Sequence, residues 1–353
     1  MLTLNFPTNS ELALVVQDFK PDPAQFIGSQ ILPDAESMFQ VVMWDERDTD
    51  RGMTQPHVMG ADPKVDIRQG SKTRSYTPIP FKQTDLLKEN EILRSRELGT
   101  MNQTLDLSAE VARIARNRFI KTQIRKEKLR WDTLQGAISI SENDVSISET
   151  FAVQTYTPAT PWSTRASATP LKDFNAMKLL FRGYGASAAG AKVYMNQTTA
   201  NWLLENSNAA DLRGFQNSNF VALPYSVEEL NKILAARGLP EIVVYDGGYI
   251  DSNNAFQLFL PDGVYVLVGN RPGGEKVGDW LSTPSLHNNR GGQPAPGFFS
   301  IIEINGQPSE VVGAVSMQQL GMGKNPKVEI TGGEYGGTRL IFPKSIITGY
   351  TGS

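Results

Sequence analysis

The sequence predicts an α+β protein, and three features carry that prediction. Between Leu105 and Gln135, the residues Leu107, Val111, Ile114, Ile120, Ile124, Trp131 and Leu134 recur at loosely helical spacing with no proline or glycine before Gly136, the pattern of one long helix. Immediately after it, AISISENDVSISETFAVQTYTP alternates apolar and polar residues through Ile138, Ile140, Val145, Ile147, Phe151 and Val153, the period-two signature of half-buried antiparallel strands. From residue 158 to 313, bounded helices and short β-branched runs follow one another, a mixed α+β unit.

Along the chain, residues 1–44 mix apolar pairs with Pro7, Pro21, Pro23 and Pro33, which interrupt any long helix and favour an extended arm. Residues 45–85 are charged and rich in glycine and proline. Such a segment is either a floppy loop or a functional one ordered by another chain. Its flanks, FQVVMW and YTPIPF, are able to pair as strands at the base of a two-stranded finger. Within it Arg47, Arg51, Lys64, Arg68, Lys72 and Arg74 alternate with Asp45, Glu46, Asp48, Asp50, Asp62 and Asp66, which points to many individually weak, salt-sensitive contacts.

The long helix carries Arg113, Arg116, Arg118, Lys121, Arg125, Lys126, Lys128 and Arg130, answered locally by Glu110, Glu127 and Asp132. This basic stripe reads either as a solvated face or as a surface for phosphates or an acidic neighbour, with Arg113, Arg116, Lys121 and Arg125 as the candidate contacts. In TPLKDFNAMKLLFRG, Thr169 is the expected N-cap, Pro170 the first helical residue and Gly183 the stop. A further helix starts near Thr198. YSVEELNKILAARGLP holds a capping box from Ser226 to Glu229, an apolar face of Val227, Leu230 and Leu234, and an end at Gly238 and Pro240.

Composition excludes several chemistries. The chain of 353 residues has no cysteine, so disulfides, thiolate metal sites and cysteine nucleophiles are ruled out, and only His57 and His287 are available as imidazoles. A net charge of -3 argues against a chain built mainly to bind nucleic acid. No apolar run reaches the roughly 18 residues a bilayer span needs, and MLTLNFPTNS lacks a signal peptide's basic start and apolar stretch, so a soluble, unexported protein with no membrane partner is expected. GYGASA at Gly183 follows a helix where a dinucleotide loop needs a strand; GNRPGGEK at Gly269 has Glu275 before Lys276 and Val277 where a phosphate loop needs Ser or Thr. Trp44, Trp131, Trp162, Trp202 and Trp280 are scattered, as packing anchors are. No catalytic residue, cofactor site or metal site is expected.

EIVVYDGGYIDSNNAFQLFLPDG raises one further candidate. Asp246 directly follows a β-branched run, where enzymes place acids, yet Asp-Gly is also a strong turn signal. With no histidine or second base nearby in sequence, the turn reading is preferred, with Gly247 and Gly248 supplying conformational freedom.

The order of parts, together with several patches, resembles the major capsid protein E family of lambda-like tailed phages over nearly the whole chain. FPTNSELALVVQDFKPDPAQFIGSQILP is similar to that family's arm; PWSTRASATPLKDFNAMK to its tryptophan, loop and first axial helix; VVYDGGYID and FLPDGVYVLVG to its paired strands; and NPKVEITGGEYGGTRLIFPKSIITGY to its closing strands. The resemblance implies the tailed-phage major capsid fold, shared with encapsulins and the herpesvirus capsid floor. It implies an N-terminal arm at 1–44, an extended loop at 45–90, a peripheral domain with a spine helix at 91–157, an axial domain at 158–313 and a return to the peripheral domain at 314–353.

It further implies pentamers and hexamers closing into an icosahedral shell around double-stranded DNA, assembled in the host cytoplasm and found in the virion. Implied partners are a scaffolding protein, a portal protein, a decoration or head-completion protein, and the packaged DNA by weak non-specific contact. The arm begins at once, so scaffold is expected from a separate protein. Covalent cross-linking is not readable from any lysine here. An encapsulin-like compartment is the alternative within the fold, and a hydrolase using Asp246 or Asp251 the alternative outside it.

Overall fold

The computed structural model describes residues 3–6, 25–47, 53–54, 56, 58–60, 71–88, 107–142, 145–206, 226–290, 293–304, 307–308, 313–316 and 327–352. The uninterrupted apolar spacing after Leu105 forms one helix, Leu107–Leu134. Gly136, at φ 103°, then turns the chain into the hairpin Ala137–Glu142 with Val145–Thr150, in register from Ala137 opposite Thr150 to Glu142 opposite Val145.

The helix lies against a six-stranded sheet whose centre is the 14-residue strand Lys327–Leu340. That strand pairs antiparallel with Ile79–Lys88, with Phe299–Ile304 along its first half and with Gly278–Ser282 along its second. Asp34–Glu36 adds to Gly278–Ser282 in parallel at the sheet's edge. Alternation places Val328, Ile330, Glu334, Thr338 and Leu340 on one buried face. The glycines of this strand mark close approaches: a Cβ at Gly332 would lie 3.1 Å from Arg118 Cβ on the helix, and one at Gly337 only 2.0 Å from the Tyr76 hydroxyl.

The finger base is present as Val42–Glu46 paired with Lys72–Tyr76, Val42 opposite Tyr76 and Glu46 opposite Lys72. Of YTPIPF, however, only Tyr76 joins that ladder. Pro78 has no N–H to continue it, and Ile79 onward belongs to the six-stranded sheet.

A five-stranded sheet runs in the order Glu241–Val244, Ser187–Met195, Val264–Asn270, Ile346–Tyr350, Gln154–Thr155. Helices Pro170–Leu180, Gln197–Leu204 and Val227–Ala236 close its core through Phe174, Met177, Leu203, Leu230 and Leu234, packed on Val193, Met195, Tyr265, Leu267 and Ile347. The Ser226 cap is formed, its Oγ accepting from Glu229 N at 3.2 Å. Thr169 makes no side-chain cap bond; Pro170 opens that helix by its fixed φ alone. The helix expected near Thr198 is capped by Asn196, which accepts from Thr199 N at 2.9 Å.

The last two long strands divide between the sheets, Lys327–Leu340 in the first and Ile346–Tyr350 in the second. Arg271 fastens the joint between them: its guanidinium lies 3.4 Å from the Phe342 ring centroid, donates to Ser345 Oγ at 2.9 Å and pairs with Glu275 at 2.9 Å.

Candidate assembly surfaces

The predicted contact residues of the finger fall in different settings. Arg47 and Lys72 are exposed at the finger base. Arg74 is engaged within the subunit, 2.7 Å from Glu46 Oε1 and donating to Thr150 O at 2.9 Å, so it ties the finger base to the Val145–Thr150 hairpin. Arg51, Lys64 and Arg68 lie outside the described residues. Next to the finger base runs an apolar surface that the sequence reading passed over: Met38 is 76% exposed, Phe39 74% and Met43 53%, with Met53, Val58 and Met59 further along the chain also exposed. The signal was present in the alternation of FQVVMW, which turns Val42 and Trp44 inward and must therefore turn Met43 outward.

The basic stripe of the long helix is not one face. Ala109, Arg113, Arg116, Asn117 and Lys121 are exposed at spacings that align along one side of a helix. Arg113 pairs with Glu110, and Arg118 with Asp85 and Gln83 on the neighbouring strand. Arg125, half-buried, lies 3.0 Å from Glu142 and 5.6 Å over the Phe81 ring. Lys128 bonds Asp132 at 2.6 Å. Lys126 and Arg130 are inside the protein. Lys126 Nζ sits 3.0 Å from both Glu334 Oε1 and Asp34 Oδ1, and Arg130 Nη2 is 2.6 Å from Asp34 Oδ1.

Glu127, fully buried between them, accepts from Gly28 N at 2.6 Å, Trp131 Nε1 at 2.9 Å and the Tyr245 hydroxyl at 3.1 Å, with Arg130 Nη1 3.6 Å from its second oxygen. Burial pushes the Glu127 carboxyl above its ordinary value, while Arg130 and the three donors pull it back.

Asp246 is exposed, and its carboxylate accepts from Gln197 N at 2.8 Å, the first backbone N–H of helix Gln197–Leu204. Its work is therefore done one element away from the turn the sequence suggested. Gly247 and Gly248 have no positive φ; a Cβ at Gly247 would instead lie 2.3 Å from the Tyr245 ring, and one at Gly248 2.3 Å from Gln257 O. Asp251 folds its carboxylate onto Asn253 N and Ala255 N at 2.8 and 2.9 Å, which holds it below the usual carboxylate range. His287 stacks on Phe299 at 5.1 Å, and His57 lies outside the described residues. Among the described residues, no three His, Asp or Glu side chains are grouped to hold a metal, and no helix is long and apolar enough to cross a membrane.

A spine helix on a sheet threaded by the chain's distant ends, a second sheet closed by helices, and a finger carrying exposed apolar side chains define the tailed-phage major capsid fold. The putative capsid protein of a prophage in Escherichia coli CFT073 superposes over 100% of both chains with a TM-score of 0.60 at 13% identity. A phage-related protein from Bordetella bronchiseptica RB50 does so over 99% of this chain and 97% of its own, with a TM-score of 0.52 at 11% identity. The model of the phage major capsid protein E family matches residues 10–330, and the chain belongs to that family. No curated protein matches the sequence. Its function is that of a phage major capsid protein.

Proposed function

We propose that the chain assembles as pentamers and hexamers into an icosahedral shell around packaged double-stranded DNA, and that it resides in the virion after assembly in the host cytoplasm. The observation that carries this is the family match over residues 10–330, on a fold that leaves its finger apolar and exposed. The helix and six-stranded sheet serve as the peripheral domain and the five-stranded sheet with its helices as the axial domain, a division that takes Gly278–Ser282 and Phe299–Ile304 out of the axial span 158–313 and Ile346–Tyr350 out of the peripheral span 314–353. The exposed stripe of Arg113, Arg116 and Lys121 meets an acidic polymer, scaffolding protein or DNA, by weak contacts. A portal protein and a decoration or head-completion protein are further partners.

The shell role is structural and not catalytic. Supporting that, both carboxylates singled out by the sequence, Asp246 and Asp251, hold backbone N–H groups. Electron microscopy of the purified recombinant chain tests the reading. Capsomer rings or hollow particles are expected, and a protein that stays monomeric at high concentration, with and without scaffold, would overturn it.

A further inference from the structure

The four buried charges of the helix seam balance, Lys126 and Arg130 against Glu127 and Glu334, and the fifth member is different: Asp34 is 54% exposed, yet one of its oxygens holds both buried cations. Asp34 belongs to a short stretch attached to the rest of the molecule at several further points. Gly28 donates to Glu127, Gln25 O accepts from the Tyr245 hydroxyl at 2.7 Å, and Asp34–Glu36 adds three residues to the sheet's edge. Trp280 N and Ser37 N complete that edge with bonds to Pro33 O and Ser282 O, both at 2.9 Å. Phe26, Ile31 and Leu32 are its buried apolar anchors. The chain leaves this strand directly into Met38 and Phe39, which project from the molecule.

We propose that residues Gln25–Glu36 form a latch that docks on and leaves the long helix as a unit, with Asp34 as its release point and Met38–Phe39 as the handle through which a second copy of the chain works it. The physics is that of a local opening. A three-residue edge strand and a four-residue helix offer few backbone bonds, so the segment opens at a fraction of the global unfolding cost. The carboxylate that pins it is open to solvent, hence to salt and to a neighbour's charges. When Asp34 leaves, Lys126 keeps Glu334 at 3.0 Å but Arg130 keeps only Glu127 at 3.6 Å, so the docked state depends on Asp34 chiefly through Arg130. A subunit that grips Met38 and Phe39 holds the strand that begins at Asp34 in its docked position. The handle rests on the shell reading; the latch itself does not.

Hydrogen–deuterium exchange of free subunits reads the latch. Asp34→Asn should speed exchange of peptides covering 28–36 about ten-fold while those covering 264–270 and 346–350 keep their rates. Should that variant fail to fold, wild-type protein moved from low salt to 1 M salt, where screening shortens to roughly 3 Å, should show the same selective rise. Unchanged exchange at 28–36, or a rise shared by all three regions, overturns the latch. In assembled particles, wild-type 28–36 should gain protection that Met38→Ala/Phe39→Ala particles lack; equal protection in both overturns the handle. If no particles form at all, the shell reading fails while the free-subunit measurement still decides the latch.

Discussion

The two sheets solve the same packing problem with different chemistry. Around the five-stranded sheet, Trp162 stacks on Tyr265 at 5.4 Å, Phe174 and Met177 fill behind them, and the conspicuous buried acid is Asp173, satisfied by Trp162 Nε1 and the Tyr156 hydroxyl, each at 2.8 Å. Around the long helix, a seam of Lys126, Glu127, Arg130 and Glu334 runs through the core between Trp131 and Trp280. The first is assembled mostly from elements consecutive in the chain. The second joins residues whose sequence separations reach 208 positions. An apolar contact accepts any partner of fitting size, whereas a buried charge accepts only its counter-charge in one geometry, at a desolvation cost. Where distant segments must find one register, the specific contact has the advantage.

The largest effect should come from leaving one charge of the seam alone. Glu334 accepts from Lys126, Trp280 Nε1 and Ser282 Oγ, so Glu334→Ala leaves a cation that is 2% exposed with only the solvent-facing Asp34, and two further donors without their acceptor, and should cost about 3–5 kcal/mol in denaturant unfolding. Lys126→Met with Glu334→Leu should restore stability to within about 1 kcal/mol of wild type or exceed it, but broaden the exchange behaviour of the segments that meet there. A single variant costing less than the double would mean that the seam does not behave as a set of pairs.

The matching cut in the other core should cost less. Asp173→Ala leaves the Trp162 and Tyr156 donors without their acceptor, an expected loss of about 1–3 kcal/mol by thermal unfolding, with no change in how the finger or the Gln25–Glu36 segment exchanges. A cost equal to that of Glu334→Ala would erase the distinction between the two regions.

The sequence showed what local chemistry decides. Helix Leu107–Leu134 was legible because nothing interrupts its spacing until Gly136, and Ser226 was legible as a cap because the motif lies within four residues of chain. The finger base was legible as two apolar flanks, though Pro78 moved its second strand upstream. What could not be read was which basic residues of the helix point inward. Lys126 and Arg130 look like their exposed neighbours, since their partners Asp34 and Glu334 come from either end of the chain. The glycines at 332, 333, 336 and 337 likewise read as a glycine-rich tail until the close approach of Arg118, Phe81, Leu281 and Tyr76, in that order, gave each a steric reason.

An effect of similar size, with a sign that can be worked out, belongs to Glu127. Burial raises its carboxyl, so the folded chain binds this proton at a higher pH than the unfolded chain does. Its contribution to stability is then fully present below the ordinary glutamate value and is lost as pH rises through the raised one. Asp132, raised by its own burial, adds in the same direction. Glu127→Gln keeps an acceptor for Gly28, Trp131 and Tyr245 but removes the buried charge facing Arg130, and should cost about 1–3 kcal/mol at neutral pH, while flattening the gain that wild type shows on mild acidification. An unchanged pH slope would exclude Glu127 as its source.

The smallest expected effect concerns the acid that most resembled a catalytic one. Asp246 is exposed and bonded to a single backbone N–H at the start of helix Gln197–Leu204, where a negative charge near the positive end of the helix dipole is worth about 0.3–1 kcal/mol. Asp246→Asn keeps an oxygen acceptor and removes only the charge, so it should lose no more than that, and progressively less as salt screens the dipole. Neither particle formation nor the fold should change. Asp246→Ala, which also removes the acceptor, should cost slightly more and retain the same assembly. If either variant stopped shells from closing while its Tm stayed at the wild-type value, Asp246 would have a role in assembly beyond fastening one helix end, and the strand–turn–helix corner would have to count as an assembly surface of the five-stranded sheet.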